Sequence, residues 1–546
     1  MALLTRILRT ALSHPLRTAV VDDRGPRSYP QCLVGAMMLS RLIDRETTRD
    51  TVGMLLPTSA ATPLAIVGSW LSLKIPVPIN FLLGPGEMQH VIRHAGIDTI
   101  LTVGPMLEFL GAEAGKGDAG RAEARGAGGG MATGGKAGGK AGEKGGEKGW
   151  GRPAGVPEGV KLVRLEEVLP TMGKLSSLRW PPRLTEDQTA VLLYTSGTSG
   201  MPKGVPLTFG NLMSNVEAGI RRGNFTKRDV FLGVLPQFHS FGLTACSLFP
   251  LVLGAKVVYS ARFVPKKIIE LFRLHRPTVF MAVPSMYGAL LSVKEATRED
   301  FASLRMAISG GEPLPEAVRR EMYDRFGVRL MEGYGLTETS PVVSWSTPDA
   351  NRDGCVGKVL DNVDVKIVSE DGKVLPPGEA GEIWVSGPNV FHGYYRDPET
   401  TASVFAELTP GGRKYFKTGD IGTLSPDGFL AITGRKKEML IVGGLNVFPR
   451  TIEEVLCQHP GVRDAGVVGK VDDLRGEVPV AFVEMKEGAV FDEAELRQFC
   501  RERLAQYKVP REIYRVDSLP RTPTGKVLRR KLKEMLVHEA PKKVDA

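Results

Sequence analysis

"YTSGTSGMPKG", residues 194–204, is the stretch that decides how the rest of the chain is interpreted. It follows a buried strand, and it combines hydroxyl residues and glycines with one lysine, Lys203. Glycines let the backbone approach a ligand closely, and consecutive N–H groups can form a nest for an anion. It is not the common P-loop, in which the lysine follows a glycine and precedes Ser or Thr, because Lys203 lies between Pro202 and Gly204. The pattern predicts a phosphate-binding loop, and a polar turn between a strand and a helix is the alternative.

The composition narrows the class of protein. The chain has 546 residues, and 71 Lys and Arg against 61 Asp and Glu give a net charge of +10. This mild basic bias favours acidic partners such as nucleotides, anionic lipid surfaces or acidic carrier proteins. The sequence contains no basic stripe, so we expect no nucleic-acid binding. The five cysteines form no C-x-x-C pair, which argues against a zinc site or a disulfide framework and favours a reducing compartment.

The distribution of apolar residues does not suggest a membrane-spanning protein. No apolar run reaches the ~20 residues of a membrane span. The opening stretch "MALLTRILRTAL" places apolar residues at helical spacing and lacks the continuous apolar core of a signal peptide. We therefore expect a packed amphipathic helix and a cytoplasmic protein, with a peripheral contact at a membrane surface as the alternative.

Strands and helices alternate along most of the first 340 residues. "TVGMLLP", "GAKVVYS" and "PTVFMAVP" are predicted as buried strands, and "TFGNLMSNVEAGI" and "VPKKIIELFRLH" as helices. This order implies a parallel sheet with right-handed crossovers. Residues 111–151 interrupt it, because 17 of those 41 residues are glycine. Such a segment cannot bury enough apolar surface to offset its ordering entropy, so it is predicted as a disordered surface insertion.

The sequence pattern changes at about residues 342–434. Short strands such as "VDVKIV", "GEIWVSG" and "GFLAITG" alternate with Gly, Pro and Asp turns, which predicts a small antiparallel barrel or sheet. After "GRKKE" a second α/β pattern begins, in which Thr451 and Glu454 are predicted to form a helix capping box. The predicted fold is therefore α/β, with a compact C-terminal domain of about 110 residues.

Further motifs follow the first loop in a fixed order. They are "LPQFHSFG" (235–242), "ISGGEPLP" (308–315), "YGLTETSP" (334–341), "YFKTGD" (415–420), "GRKKEMLIVGGLNVFP" (434–449) and "PRTPTGKVLRRKL" (520–532). Together with residues 194–204, this set resembles the adenylate-forming superfamily, which includes acyl-CoA synthetases, luciferases and peptide-synthetase adenylation domains. The resemblance covers nearly the whole chain. It implies a large N-terminal domain, residues 1–436, of layered mostly parallel sheets with helices and a small β-barrel subdomain, followed by a mobile α+β lid, residues 437–546.

The resemblance also implies roles for individual residues. Glu338 matches the magnesium ligand, Lys526 matches the lysine that bridges carboxylate and α-phosphate, and Lys437 matches the hinge of the lid. Lys203 and His239 are the other implied catalytic residues. The implied contacts to ATP and to the pantetheine chain come from Thr195, Ser196, Gly197, Thr198, Ser199, Gly200, Gly310, Gly311, Glu312, Tyr334, Gly335, Thr337, Asp420, Arg435, Gly443 and Gly444.

The residue types fit the chemistry of carboxylate activation. Attack of a carboxylate on the α-phosphate of ATP gives an acyl-adenylate and pyrophosphate. The site must hold two anions together, which calls for a metal ion and for cations such as Lys203 and Lys526. The family resemblance therefore implies ATP, Mg²⁺ and a thiol acceptor as cofactors.

The middle of the chain looks most like fatty-acid ligases, and in particular like the synthetase half of a bacterial acyl-carrier-protein synthetase/lysophospholipid acyltransferase. We therefore expect a medium- or long-chain fatty acid ligase that forms a thioester with coenzyme A. Transfer to the phosphopantetheine of acyl carrier protein, and a smaller or aromatic acid, are the alternatives. A non-catalytic nucleotide- or lipid-binding homologue is a more remote one. Two H-x-x-x-x-D strings, at His392 and His459, resemble an acyltransferase motif but lie within ordinary ligase sequence.

Overall fold

The structure is a computed structural model that describes residues 3–114, 152–168, 181–195, 201–472, 476–521 and 527–538. Three sequence predictions fall outside these ranges. They concern most of the Gly-rich insertion, the five loop residues Ser196, Gly197, Thr198, Ser199 and Gly200, and the predicted catalytic Lys526. The first four residues of the predicted insertion, 111–114, are described, and they end a helix.

The helices are α1 Leu3–Ser13, α2 Tyr29–Glu46, α3 Ala61–Leu71, α4 Pro85–Ala95, α5 Gly104–Ala114, α6 Leu165–Val168, α7 Phe209–Arg222, α8 Ser240–Leu243, α9 Phe249–Leu253, α10 Pro265–His275, α11 Pro284–Leu291, α12 Glu316–Phe326, α13 Pro398–Val404, α14 Pro449–Leu456, α15 Glu493–Arg501 and α16 Arg529–His538. A π-helical turn, Thr244–Leu248, joins α8 to α9. Short 3₁₀ helices lie at Arg298–Phe301, Thr337–Thr339, Lys436–Glu438 and Gln506–Lys508.

The strands are β1 Thr18–Asp22, β2 Gly25–Ser28, β3 Thr51–Leu55, β4 Ile75–Pro78, β5 Thr99–Thr102, β6 Lys161–Arg164, β7 Thr189–Thr195, β8 Lys203–Thr208, β9 Val230–Gly233, β10 Lys256–Tyr259, β11 Val279–Ala282, β12 Met306–Gly310, β13 Leu330–Gly335, β14 Val342–Trp345, β15 Lys358–Val359, β16 Asp364–Val368, β17 Gly381–Ser386, β18 Phe405–Glu407, β19 Lys414–Leu424, β20 Leu430–Arg435, β21 Leu440–Val442, β22 Leu445–Val447, β23 Val462–Asp472, β24 Gly476–Met485 and β25 Glu512–Val516.

A nine-stranded sheet carries most of the motifs. Its order is β15-β14-β13-β12-β11-β9-β10-β1-β2. The strands from β13 to β1 pair in parallel, and the antiparallel strands lie at the two edges. The strands β9 to β12 are almost wholly buried, as expected for parallel strands covered on both faces. A second sheet, β4-β3-β5-β6, is parallel throughout. The predicted parallel α/β architecture is confirmed.

The N-terminal helix α1 is a packed helix. Leu3, Leu4, Ile7 and Leu8 are buried in the main hydrophobic core. The hydroxyl of Thr10 donates to the carbonyl oxygen of Val252, 3.1 Å away. The apolar face that suggested a membrane contact therefore faces protein. Within the described part of the chain, no helix is both long and apolar enough to cross a membrane.

The β-rich region differs in extent from its prediction. A five-stranded antiparallel sheet has the order β16-β17-β19-β18, and β20 pairs with the second half of β19. It begins at Asp364, because β14 and β15, at residues 342–359, extend the edge of the nine-stranded sheet instead. The predicted start at residue 342 is therefore too early. The sheet ends at Arg435, and the next sheet, order β22-β21-β24-β23 with β25 beside β24, begins at Leu440. The predicted domain boundary after residue 436 lies between the end of the first sheet and the start of the second.

The predicted capping box on α14 is wrong. The N-cap is Phe448, with Pro449 at the first helical position. Thr451 lies one turn inside the helix, where its N–H bonds to the carbonyl oxygen of Phe448 at 3.1 Å. Glu454 instead pairs with Arg450 at 2.7 Å. Proline is favoured at the first helical position because its φ is already helical and its missing N–H costs no bond there, and this moves the helix start upstream of Thr451.

Candidate active site

The two ends of the phosphate loop lie on a hairpin. β7 and β8 pair antiparallel, with Thr195 opposite Lys203. The sequence predicted a strand, the loop and then a helix. The structure adds the strand β8 between the loop and helix α7, because Lys203–Thr208 pairs with β7 along its length. The hairpin fixes Lys203 directly across from Thr195, so both predicted phosphate contacts leave the same end of the hairpin.

Lys203 is held by the segment that precedes and begins α13. Its Nζ lies 3.3 Å from the Thr400 hydroxyl and 5.2 Å from the centre of the Tyr394 ring. The N–H of Tyr395 donates to the carbonyl oxygen of Gly204 at 2.8 Å. The aromatic face attracts the ammonium group, so Lys203 has a fixed direction.

Tyr394 connects Lys203 to the predicted metal ligand. Its hydroxyl donates to Oε1 of Glu338 at 2.9 Å. Glu338 lies in the buried 3₁₀ turn that follows β13, and burial raises the pKa of its carboxyl group above the usual range. Sequence reasoning missed Tyr394 and Thr400, which lie close to the string at His392. Asp397, which accepts a hydrogen bond from the N–H of Thr400 at 3.0 Å, caps α13, and this capping pattern was the available signal.

A second cluster forms around Asp420. Oδ2 of Asp420 accepts a hydrogen bond of 2.6 Å from the Tyr334 hydroxyl, and Oδ1 lies 2.8 Å from Nε of Arg435. Asp420 and Arg435 are cross-strand neighbours on β19 and β20. Burial and the Asp420 carboxylate raise the pKa of Tyr334 well above its usual value, so the hydroxyl keeps its proton. Both clusters act on the pKa of Glu338, since Arg435 and Asp420 are among the charges that shift it.

Three motifs of the nine-stranded sheet converge beside these clusters. The Ser240 hydroxyl lies 3.3 Å from the Thr337 hydroxyl. The ring of Phe241 packs on Gly310, where an added Cβ would lie 3.3 Å from a ring carbon. Gly335 passes close to the carbonyl oxygen of Pro341, where a Cβ would lie 2.0 Å away. The structure therefore gives Gly310 and Gly335 a packing reason to be glycine.

His239 caps the short helix α8. Its Nδ1 accepts a hydrogen bond of 3.3 Å from the N–H of Phe241. This bond fixes the ring immediately before Ser240, and so places His239 beside the converging motifs. The neighbouring Phe238 ring packs edge-on against Phe81 at 5.0 Å, which gives this side of the site an aromatic wall.

The predicted site residues that the structure describes in the C-terminal region lie in surface turns instead of in these clusters. Lys437 lies exposed in the 3₁₀ turn between the two sheets. Gly443 and Gly444 form the two-residue turn of the β21–β22 hairpin, with φ of 59° and 81°. Two positive φ angles in such a turn explain the glycine pair without a ligand. The described contacts place this hairpin on β24, and they do not bring it to the clusters around Glu338 and Asp420.

The start of the last motif does approach the N-terminal region. Arg521 pairs with Asp464 and lies within electrostatic range of Glu312, which follows Gly311 after β12. Gly311 has φ of 86°, a left-handed conformation that favours glycine. The two H-x-x-x-x-D strings are also explained, since Asp397 caps α13 and Nε2 of His459 lies 3.1 Å from Glu495.

Comparison with known proteins shows the family to which the chain belongs. The family model described as "AMP-binding enzyme" matches residues 7–395, and the model "AMP-binding enzyme C-terminal domain" matches residues 451–526. The chain belongs to the AMP-binding enzyme family. The class of protein is an AMP-forming acid–thiol ligase.

Curated relatives carry two kinds of name. A long-chain-fatty-acid–CoA ligase of Bacillus subtilis is 38% identical over 360 residues, which is 64% of this chain and 62% of that protein. A protein of the same name from Escherichia coli O6:H1 is 32% identical over 502 residues, 91% of this chain and 86% of its own length. A 2-succinylbenzoate–CoA ligase of Geobacillus kaustophilus is 39% identical over 353 residues, 64% of this chain and 70% of its own length.

Solved structures share the whole architecture. ATP-bound MatB from Rhodopseudomonas palustris is 28% identical, with a TM-score of 0.82 over 98% of this chain and 99% of its own. The o-succinylbenzoate CoA synthetase of Bacillus subtilis, in complex with ATP and magnesium ion, is 28% identical, with a TM-score of 0.78 over 97% and 99%. The fold expected from the resemblance is confirmed by these neighbours.

Proposed function

We propose that this chain activates a medium- or long-chain fatty acid with ATP and transfers the acyl group from the acyl-adenylate to coenzyme A. The observation that carries the proposal is the continuous network from Glu338 through Tyr394 to Lys203, electrostatically coupled to the Asp420–Arg435 pair. A nucleotide needs a ribose acceptor, phosphate cations and a metal carboxylate in one place, and this network supplies all three.

Each cluster has a distinct task in the proposed reaction. Asp420 accepts hydrogen bonds from the ribose hydroxyls, and Arg435 and Tyr334 orient its carboxylate. Lys203, together with the hydroxyl and N–H groups of residues 195–200, binds the phosphates. Lys526 bridges the substrate carboxylate and the α-phosphate, where negative charge develops. Charges that are held in place before the reaction stabilise that transition state without reorganisation.

The residues around Glu338 fit a magnesium ion. Magnesium is commonly bound by one or two carboxylates together with substrate phosphates. Glu338 offers one buried carboxylate whose Oε1 is oriented by Tyr394, and burial raises its pKa. Bound magnesium would screen the phosphate charge and favour the ionised carboxylate. The remaining ligands would come from the nucleotide and water.

The choice of a fatty acid rests on the relatives. The long-chain ligase of Escherichia coli matches 91% of this chain, whereas the 2-succinylbenzoate ligase matches 64%. The aromatic acid is the second candidate because that shorter match has the higher identity, 39% against 32%. Coenzyme A is the preferred acceptor because all three relatives are named as CoA ligases. Acyl carrier protein is the competing acceptor.

Pyrophosphate exchange identifies the acid. The enzyme is incubated with ATP, Mg²⁺ and labelled pyrophosphate together with decanoate, palmitate, 2-succinylbenzoate or benzoate. We expect exchange with the fatty acids and at least tenfold less with the aromatic acids. Exchange confined to 2-succinylbenzoate or benzoate would transfer the proposal to the second candidate, and no exchange with any acid would reject both.

Thioester formation identifies the acceptor. Coenzyme A and acyl carrier protein are supplied separately with palmitate and ATP at several salt concentrations. We expect coenzyme A to be acylated. Acylation of carrier protein alone, at a rate that falls steeply with salt, would show that a basic surface steers an acidic protein partner and that the proposed acceptor is wrong.

A further inference from the structure

One end of the nine-stranded sheet has no part in the proposed reaction. The strands β1, β10, β9 and β11 are neighbours that pair in parallel, so all four begin at the same end of the sheet. The residues that lead into them form what we call the amino-end surface, residues 12–17, 226–229, 253–256 and 274–277. The candidate active site lies at the other end, where β9 leads to His239 and β12 ends at Gly310.

Contacts show that these four segments form one surface. The guanidinium of Arg17, before β1, donates to the carbonyl oxygen of Lys227, before β9. β10 lies between these two strands in the sheet. Burial and then the charge of Lys256, at the start of β10, lower the pKa of His275, before β11. The segments are therefore linked from β1 to β11.

Exposed leucines concentrate on the amino-end surface. Among the described residues, five large apolar side chains are more than 70% exposed, and three of them are Leu12, Leu16 and Leu274, at 71%, 95% and 74%. The other two, Val471 and Val490, lie in the C-terminal region. Single exposed leucines are ordinary, but a group of them at one end of one sheet marks a surface that contacts something apolar.

The same surface is basic. Its cations are Arg17, Lys227, Arg228, Lys256 and Arg276. Its one carboxylate, Asp229, is buried and pairs with Arg305 at 2.7 Å. Arg276 pairs with Glu299 at 3.3 Å, whereas Lys227 and Arg228 project into solvent. The exposed charge that surrounds the leucines is therefore positive.

We propose that the amino-end surface binds the face of a lipid bilayer that contains anionic phospholipids. The cations contact lipid phosphates, and the leucines enter the boundary between headgroups and acyl chains. A nucleic acid would use the charges without the leucines, and a purely apolar partner would use the leucines without the charges. The apolar face of α1 stays in the protein core in this arrangement, and the candidate active site faces water.

Vesicle binding tests the proposal. The full-length enzyme is mixed with vesicles of phosphatidylcholine that contain about one-third phosphatidylglycerol, or of phosphatidylcholine alone, and the bound fraction is measured by sedimentation at low and high salt. We expect binding to the anionic vesicles at low salt, and at least about tenfold weaker binding to the neutral vesicles. High salt should weaken binding to the anionic vesicles because it screens exposed charges.

Removal of the leucines tests the apolar part. The triple variant Leu12→Ser, Leu16→Ser and Leu274→Ser should bind anionic vesicles about tenfold more weakly, because interfacial binding scales with the apolar area that is buried. The matched control is the double variant Val471→Ser and Val490→Ser, which replaces equally exposed apolar residues of the C-terminal region. It should bind as the unaltered enzyme does.

Removal of two charges tests the electrostatic part. The double variant Lys227→Gln and Arg228→Gln should bind anionic vesicles about thirtyfold more weakly. Its control, Lys486→Gln and Lys533→Gln, removes the same charge from exposed positions of the C-terminal region and should bind almost normally. Equal losses in the two charge variants would show that net charge alone attracts the enzyme, and the proposed surface would be wrong.

Other results would also overturn the proposal. Equal binding to anionic and neutral vesicles would contradict it, and so would unchanged binding of the leucine variant. Sedimentation without vesicles covers a second copy of the chain as the occupant. If the unaltered enzyme is a dimer and the leucine variant a monomer, the amino-end surface joins two copies and does not bind lipid.

The inference and the proposed function fail independently. Pyrophosphate exchange with decanoate in vesicle-free buffer should be unchanged in all four variants, because the amino-end surface and the site lie at opposite ends of the sheet. If palmitate is ligated but anionic vesicles are not bound, the inference is wrong and the proposed function stands. If vesicles are bound as expected but no acid supports exchange, the inference stands and the proposed function is wrong.

Discussion

The N-terminal and C-terminal parts of the candidate active site are held in contrasting ways. In the N-terminal part, the carboxylates of Asp420 and Glu338 are buried, and each accepts a hydrogen bond from a tyrosine hydroxyl, at 2.6 Å and 2.9 Å. In the C-terminal part, the predicted hinge Lys437 is exposed in a single 3₁₀ turn. Buried polar partners fix the first set of groups in place, and the second set lies on a surface connection.

One contact across the boundary after residue 436 is a single hydrogen bond. Nη1 of Arg450 donates to the carbonyl oxygen of Ile432 at 3.0 Å. A typical intramolecular hydrogen bond contributes about 0.5–1.5 kcal/mol. Such a contact can break at little cost, which is compatible with the proposed movement of the C-terminal region between two half-reactions. The contrast favours the proposal that a preorganised nucleotide site serves a movable C-terminal region.

The largest effect is expected from Asp420→Ala, which removes a buried carboxylate from the N-terminal part of the site. It removes the proposed ribose acceptor and leaves the charge of Arg435 without this partner, so we expect about a hundredfold loss of pyrophosphate exchange. The free energy of unfolding should fall by about 2 kcal/mol, less than for a fully buried pair because Arg435 is partly exposed.

Asp361→Ala is the matched control. Asp361 also pairs with an arginine, Arg221, at 3.1 Å, but both side chains are more than half exposed. Its loss should change unfolding by less than about 0.5 kcal/mol and leave exchange unaltered. Equal effects of the two substitutions, measured by denaturant unfolding and exchange, would contradict the contrast.

A tenfold effect is expected from Tyr394→Phe. The phenylalanine ring keeps the contact with Lys203 but loses the hydrogen bond to Glu338. A hydrogen bond to a charged group contributes about 1.5–3 kcal/mol, so the Mg²⁺ concentration for half-maximal exchange should rise about tenfold. Tyr394→Leu loses the ring as well and should weaken ATP binding about threefold more. Identical Mg²⁺ titrations for the unaltered enzyme and Tyr394→Phe would break the proposed link between Glu338 and Lys203.

A smaller effect concerns pH. Burial, followed by the neighbouring His90 and Arg396, lowers the pKa of His94, and Asp397 acts in the opposite direction. Tyr194 and Tyr395 also face the ring. Because the folded state resists protonation, the unfolded state binds more protons just below the ordinary histidine pKa of about 6.5, and stability falls as pH drops through it.

The asparagine of the variant His94→Asn has no group that gains a proton in this pH range. The stability advantage of the unaltered enzyme over His94→Asn should therefore shrink below about pH 6.5, as measured by urea unfolding between pH 5 and 8. A difference that stays constant over this range, or grows towards low pH, would show that His94 is not held neutral.

The smallest effect is expected from replacing residues 115–151 with a short Gly-Ser link, which leaves α5 intact. Loop closure costs only about 0.6 kcal/mol per doubling of length, and the Gly-rich composition argues against a packed role. Turnover and melting temperature should stay nearly unchanged. A tenfold loss of turnover would instead indicate that the segment binds a partner.

The sequence predicts some features of this molecule well and misses others for physical reasons. Strands such as β11 are continuous apolar runs, and their burial is a local property of composition. Asp420 was predicted as a site residue because it lies in a recognisable motif, and the structure buries its carboxylate beside Tyr334 and Arg435. The role of Tyr394 was missed because its partners are 56 and 191 positions away, at Glu338 and Lys203. Contacts of that kind depend on the packing of separate sheets.

Two further differences come from turn and helix-end geometry. Gly443 and Gly444 were predicted as ligand contacts, which stays a prediction, and a two-residue hairpin gives a second reason for their positive φ angles. Thr451 was predicted to cap α14, but Pro449 starts the helix two residues earlier. In both cases the local sequence pattern had two physical explanations, and the backbone path decides between them only for Thr451.

The central claim is that the N-terminal site binds the nucleotide while the C-terminal region selects the half-reaction. It is tested most directly by measuring both half-reactions in Lys526→Ala and Lys437→Pro. Loss of the bridging charge should reduce exchange about 10²–10³-fold in Lys526→Ala, while supplied acyl-AMP is still converted to thioester. Proline fixes φ and is compatible with a first helical turn, so Lys437→Pro should retain exchange and lose thioester formation. Equal loss of both half-reactions in both variants would contradict the claim.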